Sequence, residues 1–185
     1  MKLITKRLIL RDLTIKDAKY ITENINNLKV SRYLLVVPYP YYIKDGKNWI
    51  KKCIKDSKKK KRVNYEFAIM LKTDKKVIGA ISLREVDKEQ GSAKIGYWLG
   101  KKYWRQGIMS EAFNEIINFA FKKLKLRRLD IEAFKENNAS NGLIKKMGFK
   151  YEGRLREYRK AKSTGRIHDA NIYGLLRKEW RKHKE

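Results

Sequence analysis

The stretch YWRQGIMSEAF, Tyr103 to Phe113, sets one glycine between a strand-like run and a helix-like one, with no acidic side chain from Tyr103 through Ser110. If AKIGYWLG is a strand and Ser110 to Lys123 a helix, then Arg105, Gln106, Gly107, Ile108 and Met109 form the turn that joins them. The first backbone N–H groups of a helix have no intrahelical partner and carry the positive end of its dipole, which suits such a turn to a phosphate. Gly107 permits a positive φ or the close approach of an oxyanion, and Arg105 adds charge at the rim. A plain, tight strand-to-helix connection would use the same residues, so the turn alone leaves both readings open.

The elements that must position this turn follow from hydrophobic periodicity. Lys6 to Asp12 (KRLILRD) reads as a first strand, and Thr14 as an N-cap before Ile15, Ala18, Ile21, Thr22 and Ile25 at helical spacing. A second helix is predicted from about Asp45 to Lys59, after the aromatic loop VVPYPYY (Val36 to Tyr42), which either walls an acceptor groove or is a packed crossover. NYEFAIML, KVIGAISL and SAKIGYWLG then read as strands joined by the short polar turns KTDK and VDKEQG. The strongest helical stripe comprises Met109, Ala112, Phe113, Ile116, Ile117, Ala120, Phe121 and Leu124. RRLDIEAF alternates as a further strand, NNASNGLIKKMGF is a capped helix ended by Gly148, and KYEGRLREYRKA with HDANIYGLLR forms an antiparallel pair. No repeat or linker interrupts residues 1–185, which predicts one α/β domain on a mixed sheet.

The 185 residues are enough to bury a real core, and the 42% hydrophobic content argues against disorder. No run approaches the roughly 20 apolar residues of a membrane span, and the N-terminus alternates instead of forming a signal-peptide core, so a cytoplasmic protein without membrane contact is expected. Its single cysteine, Cys53, sits on the apolar side of a helical pattern and reads as packing, and two histidines with one cysteine make no metal cluster. The formal charge is +27, from 47 Lys+Arg against 20 Asp+Glu. Such a field favours RNA, acidic proteins or phosphorylated ligands, although lysines spread over nearly every segment are also what a composition bias produces. The one dense run, DSKKKKR (Asp56 to Arg62), reads first as a solvated helix end and second as a nucleic-acid or ribosome patch.

Three ordered stretches resemble the GCN5-related N-acetyltransferases. WRQGIM (Trp104 to Met109) is similar to that family's Q/R-x-x-G-x-G/A coenzyme A pyrophosphate loop, departing from it at Trp104 and Met109. GYWLGKKYWRQGIMSEA is closer to the form found in the RimJ/RimL branch, which acetylates protein N-termini. NNASNGLIKKMGFKYEGRLRE resembles that branch's second cofactor helix and following strand, and HDANIYGLLRKEW resembles its C-terminal signature. The resemblance implies a mostly antiparallel mixed sheet whose fourth strand (Ile95 to Leu99) and fifth strand (Leu129 to Phe134) splay apart around pantetheine. It also implies that Trp98 and Leu99 contact pantetheine, that Arg105 and Gln106 to Ser110 hold the pyrophosphate, and that Asn137 with Lys145 or Lys146 reaches the cofactor from the other side.

The implied reaction is direct attack of a neutral amine on the thioester of acetyl-CoA, with coenzyme A leaving as the thiolate. Ser140 matches the branch's N-x-x-S pattern and is the expected donor to that thiolate, while Ile144 stands where other relatives carry a tyrosine acid. Lys94 replaces a glutamate common in the branch, leaving Glu66, Glu85 and Asp169 as candidate bases. Asp169 has an alternative as the partner of Arg156 or Arg159. The expected acceptor is a protein N-terminal α-amine, with ribosome or acidic-protein contact, in a monomer or homodimer. A small amine such as a polyamine or aminoglycoside is the second reading, and a non-catalytic CoA-binding basic module the third.

Overall fold

In the computed structural model, which describes residues 1–182, eight strands form one sheet. They are β1 (Lys2–Ile4), β2 (Leu8–Asp12), β3 (Tyr65–Leu71), β4 (Val77–Asp87), β5 (Ser92–Leu99), β6 (Arg128–Phe134), β7 (Lys150–Lys160) and β8 (Ile167–Leu176). Their spatial order is β1-β2-β3-β4-β5-β6-β8-β7, and every neighbouring pair is antiparallel except β5 with β6. A parallel neighbour needs a crossover, and α4 (Ile108–Asn118) supplies it.

The expected strands are present, with one addition. The three-residue β1 pairs with β2, so the strands anticipated as fourth and fifth are the fifth and sixth of the chain. Two short helices, α2 (Leu28–Ser31) and α6 (Arg177–Lys182), were also not anticipated.

Each face of the sheet buries its own core. On one face α4 inserts Ile108, Met109, Ala112, Phe113, Ile116 and Ile117 against Leu8, Phe67, Ile69 and Leu83. Each fully buried aliphatic or aromatic side chain there contributes about 2–3 kcal/mol. The helix does not run unbroken to Lys123 as its stripe predicts, because a π-helical turn over Phe119–Lys123 ends it and lets Phe119 and Phe121 both reach the core. α5 (Asn138–Lys146) lies on the same face through Ile144.

On the opposite face, α1 (Ala18–Ile25) and α3 (Ile43–Ser57) pack Ile21, Ile25 and Ile50 against Ala68 and Val77, with Trp98 and Cys53 at the margin. Burial pushes the Cys53 thiol up to about 12, consistent with a packed, unreactive side chain. Thr14 and Asp17 cap the entry to α1 as a box, and Arg11 grips the buried Asp17 carboxylate at 2.7 and 2.8 Å. α3 ends at Ser57, so the lysine run lies just beyond its C-terminus. Among the described residues no helix is long and apolar enough to cross a membrane.

Candidate active site

β5 and β6 pair only at Ser92↔Arg128, Ala93↔Leu129 and Lys94↔Asp130, yet β5 continues to Leu99 and β6 to Phe134. On their outer sides they stay paired with β4 and β8, so the sheet opens between them and leaves backbone groups along the gap. The Gly100 N–H donates to the Ile78 carbonyl at 2.9 Å. Strand alternation then turns the backbone of Trp98 toward β4 and those of Tyr97 and Leu99 toward the gap. The Leu99 carbonyl accepts a hydrogen bond from Trp104 Nε1 at 2.8 Å. Leu99 therefore borders the gap, whereas Trp98 sends its side chain to the α1–α3 core.

Beyond the open end of β5 lies the glycine turn. Gly107 is the N-cap of α4 with φ 70°, and Arg105 precedes it with φ 59°, a left-handed conformation that strains a side-chain-bearing residue. The first helical hydrogen bond runs from the Glu111 N–H to the Gly107 carbonyl, so the N–H groups of Ile108, Met109 and Ser110 precede the ladder. Ile108 and Met109 bury their side chains in the core and can offer only backbone to a ligand. Gln106 braces the turn by donating from Nε2 to the Lys102 carbonyl at 2.9 Å.

Across the gap the Tyr97 hydroxyl and Ser140 Oγ lie 2.6 Å apart. This bond links β5 to the first turn of α5. Tyr97 packs edge-on against Phe113 at 4.9 Å, and burial pushes its hydroxyl up to about 12, with Ser140 pulling weakly the other way. Asn137 caps α5, its Oδ1 accepting from the Ser140 N–H at 3.2 Å. Asn141 anchors the same helix: its Nδ2 donates to the carbonyls of Phe134 and Asn137, and its Oδ1 accepts from Tyr173 at 2.6 Å and Asn171 at 2.9 Å. Lys145 and Lys146 are exposed on the last turn, and Ile144 is fully buried.

Neither Tyr97 nor Asn141 was singled out in the sequence. Tyr97 shares strand parity with Ile95 and Leu99, and Asn141 is a polar residue three positions before Ile144 on the buried side of its helix, so a signal was present in both cases.

The other face of the sheet collects charge. Glu66, Ser82 and Gly96 stand side by side on β3, β4 and β5, and the Ser82 hydroxyl donates to the Gly96 carbonyl at 3.2 Å. Two strand spacings set Glu66 about 10 Å from Gly96 at the gap, a span that one or two waters can bridge. Burial pushes the Glu66 carboxyl up to about 7, with Arg84, Ser82 and Arg62 pulling it part of the way back. A side chain on Gly96 would collide with the Arg84 guanidinium, so the glycine is what lets Arg84 lie beside the gap.

The other two candidate bases are engaged. Glu85 forms an exposed ion pair with Lys94 at 2.6 Å, at the last closed rung of the β5–β6 ladder. Asp169 Oδ1 accepts from the Glu157 N–H at 2.9 Å, and its other oxygen lies 3.6 Å from Arg154 rather than from Arg156 or Arg159. At the open end of β6, His168 stacks on Phe134 at 4.4 Å with Nδ1 3.2 Å from Glu136, and Tyr33 meets both rings edge-on. The aromatic loop is mostly outward, with Val36, Tyr39 and Tyr42 exposed and Tyr41 packed in the core.

Comparison with known proteins gives a consistent picture. Residues 7–150 match the model of the acetyltransferase (GNAT) domain. An uncharacterized N-acetyltransferase of Bacillus licheniformis, p20, is 33% identical over 178 residues, 96% of this chain and 97% of that one. The ribosomal-protein-serine acetyltransferase of Escherichia coli is 30% identical over 112 residues, covering 60% and 62% of the two chains. The microcin C7 self-immunity acetyltransferase MccE, solved with acetyl-CoA and AMP, superposes with a TM-score of 0.79 at 26% identity over 93% of each chain.

Proposed function

Because this chain belongs to the GNAT acetyltransferase family, we propose that it moves acetyl from acetyl-CoA to a protein N-terminal α-amine, with a ribosomal protein as the expected acceptor. It is an acyltransferase, and members of the family use acetyl-CoA. The observation that carries the reading is the parting of β5 and β6 beyond Lys94 and Asp130, with Tyr97 and Ser140 joined across the opening. The fit to acetyl-CoA rests on the gap-facing backbone of Tyr97 and Leu99, which suits pantetheine amides, and on the left-handed Gly107 with free N–H groups beyond it, which suits the pyrophosphate. Arg105, Gln106 and Ser110 belong to that turn, and Asn137 with Lys145 or Lys146, at the two ends of α5, is assigned to the cofactor from the other side.

The choice of an α-amine follows from matching proton affinities. An α-amine titrates near 7.7–8.0 and a lysine-like amine near 10.4. A carboxylate pushed up to about 7, as Glu66 is, takes a proton from the first at little cost and from the second poorly. Glu66 acts through water over the span to Gly96, and the Arg84 charge beside the gap disfavours an ammonium and a polycation alike. When the amine attacks the thioester carbon, the C–S bond breaks and the sulfur takes the electron pair. A hydroxyl pushed up to about 12, as in Tyr97, stays protonated against a thiolate whose conjugate acid titrates near 8.5. The Tyr97–Ser140 pair therefore stabilises the leaving sulfur as a hydrogen-bond donor, and solvent supplies the final proton.

The test is thiol release from acetyl-CoA against peptides beginning with Ser, Ala, Thr or Met, alongside spermidine and an aminoglycoside. Turnover on a peptide class is expected. Turnover on spermidine alone would keep acetyl transfer and overturn the acceptor, and CoA binding without release on any amine would favour a non-catalytic basic module.

A further inference from the structure

The glycine turn is held by a residue far from it in sequence. Arg7, in the connection between β1 and β2, donates from Nη1 to the Gln106 carbonyl at 2.9 Å and from Nε to Glu111 Oε2 at 2.6 Å. Its own backbone N–H donates to Glu111 Oε1 at 2.7 Å, and the Thr5 hydroxyl donates to the same oxygen at 2.5 Å. The remaining guanidinium nitrogen, Nη2, faces Gly107, where a methyl group would stand 3.5 Å from it.

This arrangement settles an electrostatic difficulty in the turn. Glu111 is the one acid in the first turn of α4, where a free carboxylate would occupy the helix N-terminus itself and repel an incoming phosphate. Thr5 and Arg7 take up its oxygens from the β1–β2 side and neutralise it. Although burial pushes the Glu111 carboxyl up, these hydrogen bonds and the nearby Arg7 charge hold it below the usual carboxylate range. The Gln106 carbonyl, which would otherwise face an anion, is drawn onto Arg7 as well. One side chain thus removes two negative groups from the turn and sets its own spare N–H groups beside Gly107.

We propose that Arg7 is the positioning residue of the pyrophosphate turn, clamping Gln106 and Glu111 so that the α4 N-terminus is free for the diphosphate of coenzyme A. The proposal rests on the acetyl-CoA reading above and adds to it a residue 99 positions away in the sequence. Its test is binding, measured without turnover: calorimetric titration with coenzyme A, and NMR titration with pantetheine, which carries no phosphate. Arg7→Gln is expected to weaken coenzyme A binding at least tenfold while leaving pantetheine binding unchanged. Arg7→Lys, which keeps a charge but cannot form the fork to Gln106 and Glu111, is expected to recover only a minor part of the loss. Unaltered coenzyme A affinity in Arg7→Gln would overturn the proposal. So would a parallel loss of pantetheine binding, which would make Arg7 a general support of the fold; should Arg7→Gln prove unfolded by thermal melting, the same two outcomes are read from Arg7→Lys. A wild-type chain that binds pantetheine but gains nothing from the phosphates of coenzyme A would sink the clamp alone, and one that binds neither would sink the functional reading with it.

Discussion

The two faces of the sheet at the β5–β6 opening are built in different ways. On the α4–α5 face the groups that suit a cofactor are backbone N–H and C=O, and the side chains beside them belong to the core or pack on it: Ile108 and Met109 are buried, and Ser140 is tied to the partly buried Tyr97. On the opposite face the groups that suit an acceptor are side chains, namely Glu66, Arg84, Glu136 and His168, supplied by three strands and the segment after β6. A site made of backbone inherits the precision of the fold and tolerates varied side chains. A site made of ionisable groups depends on proton affinity, so pH should act on one face and packing on the other.

The sharpest way to break the contrast is to damage the anchor of the cofactor face. Asn141→Leu would strand the Tyr173 hydroxyl, the Asn171 amide and the Phe134 carbonyl, and a loss of about 3 kcal/mol is expected, read by denaturant unfolding. On the acceptor face, Glu66→Gln should instead fold normally and lower kcat/KM about a hundredfold. Wild-type kcat/KM should rise with pH through the Glu66 titration at about 7, and the variant should lose that inflection. Stability should move the opposite way. A carboxyl near 4.3 when unfolded and about 7 when folded stabilises most below pH 4, and that contribution is lost as pH rises to 7. Above pH 7, Glu66→Gln should therefore be the more stable chain, by as much as about 3 kcal/mol.

Smaller effects sharpen the same line. Tyr97→Phe should lower kcat about tenfold with little change in KM for acetyl-CoA, because it removes the partner of Ser140 and not a cofactor contact. Gly107→Ala should cost about 1 kcal/mol at its left-handed φ and raise KM for acetyl-CoA, since the space for a methyl exists and only the backbone objects. Glu85→Gln should do least: its pair with Lys94 is exposed on both sides, so under about 0.5 kcal/mol of stability and a near-normal kcat are expected.

Local features were legible and distant ones were not. The turn at Gly107, the α4 stripe and the Asn137 cap depend on neighbours within a few residues, and periodicity carries them. The strand β1 is too short to declare itself, which shifted the strand count by one without moving the gap. Asp169 meets Arg154 instead of Arg156 or Arg159 because β7 bulges between Leu155 and Arg159, with Glu157 at φ 46°, and a bulge resets which side chains face the neighbouring strand. The Tyr97–Ser140 bond spans 43 residues and the Arg7–Glu111 pair 104, and both exist only once the sheet is assembled.

The most direct test of the account is hydrogen–deuterium exchange with and without acetyl-CoA, resolved to single amides. Protection is expected at the gap-facing amides of Tyr97 and Leu99 and at Ile108 to Ser110, while Trp98, already bonded to β4, should change little. Saturating acetyl-CoA that leaves Tyr97, Leu99 and the α4 N-terminus exchanging as before would contradict the placement of the cofactor between the parted strands.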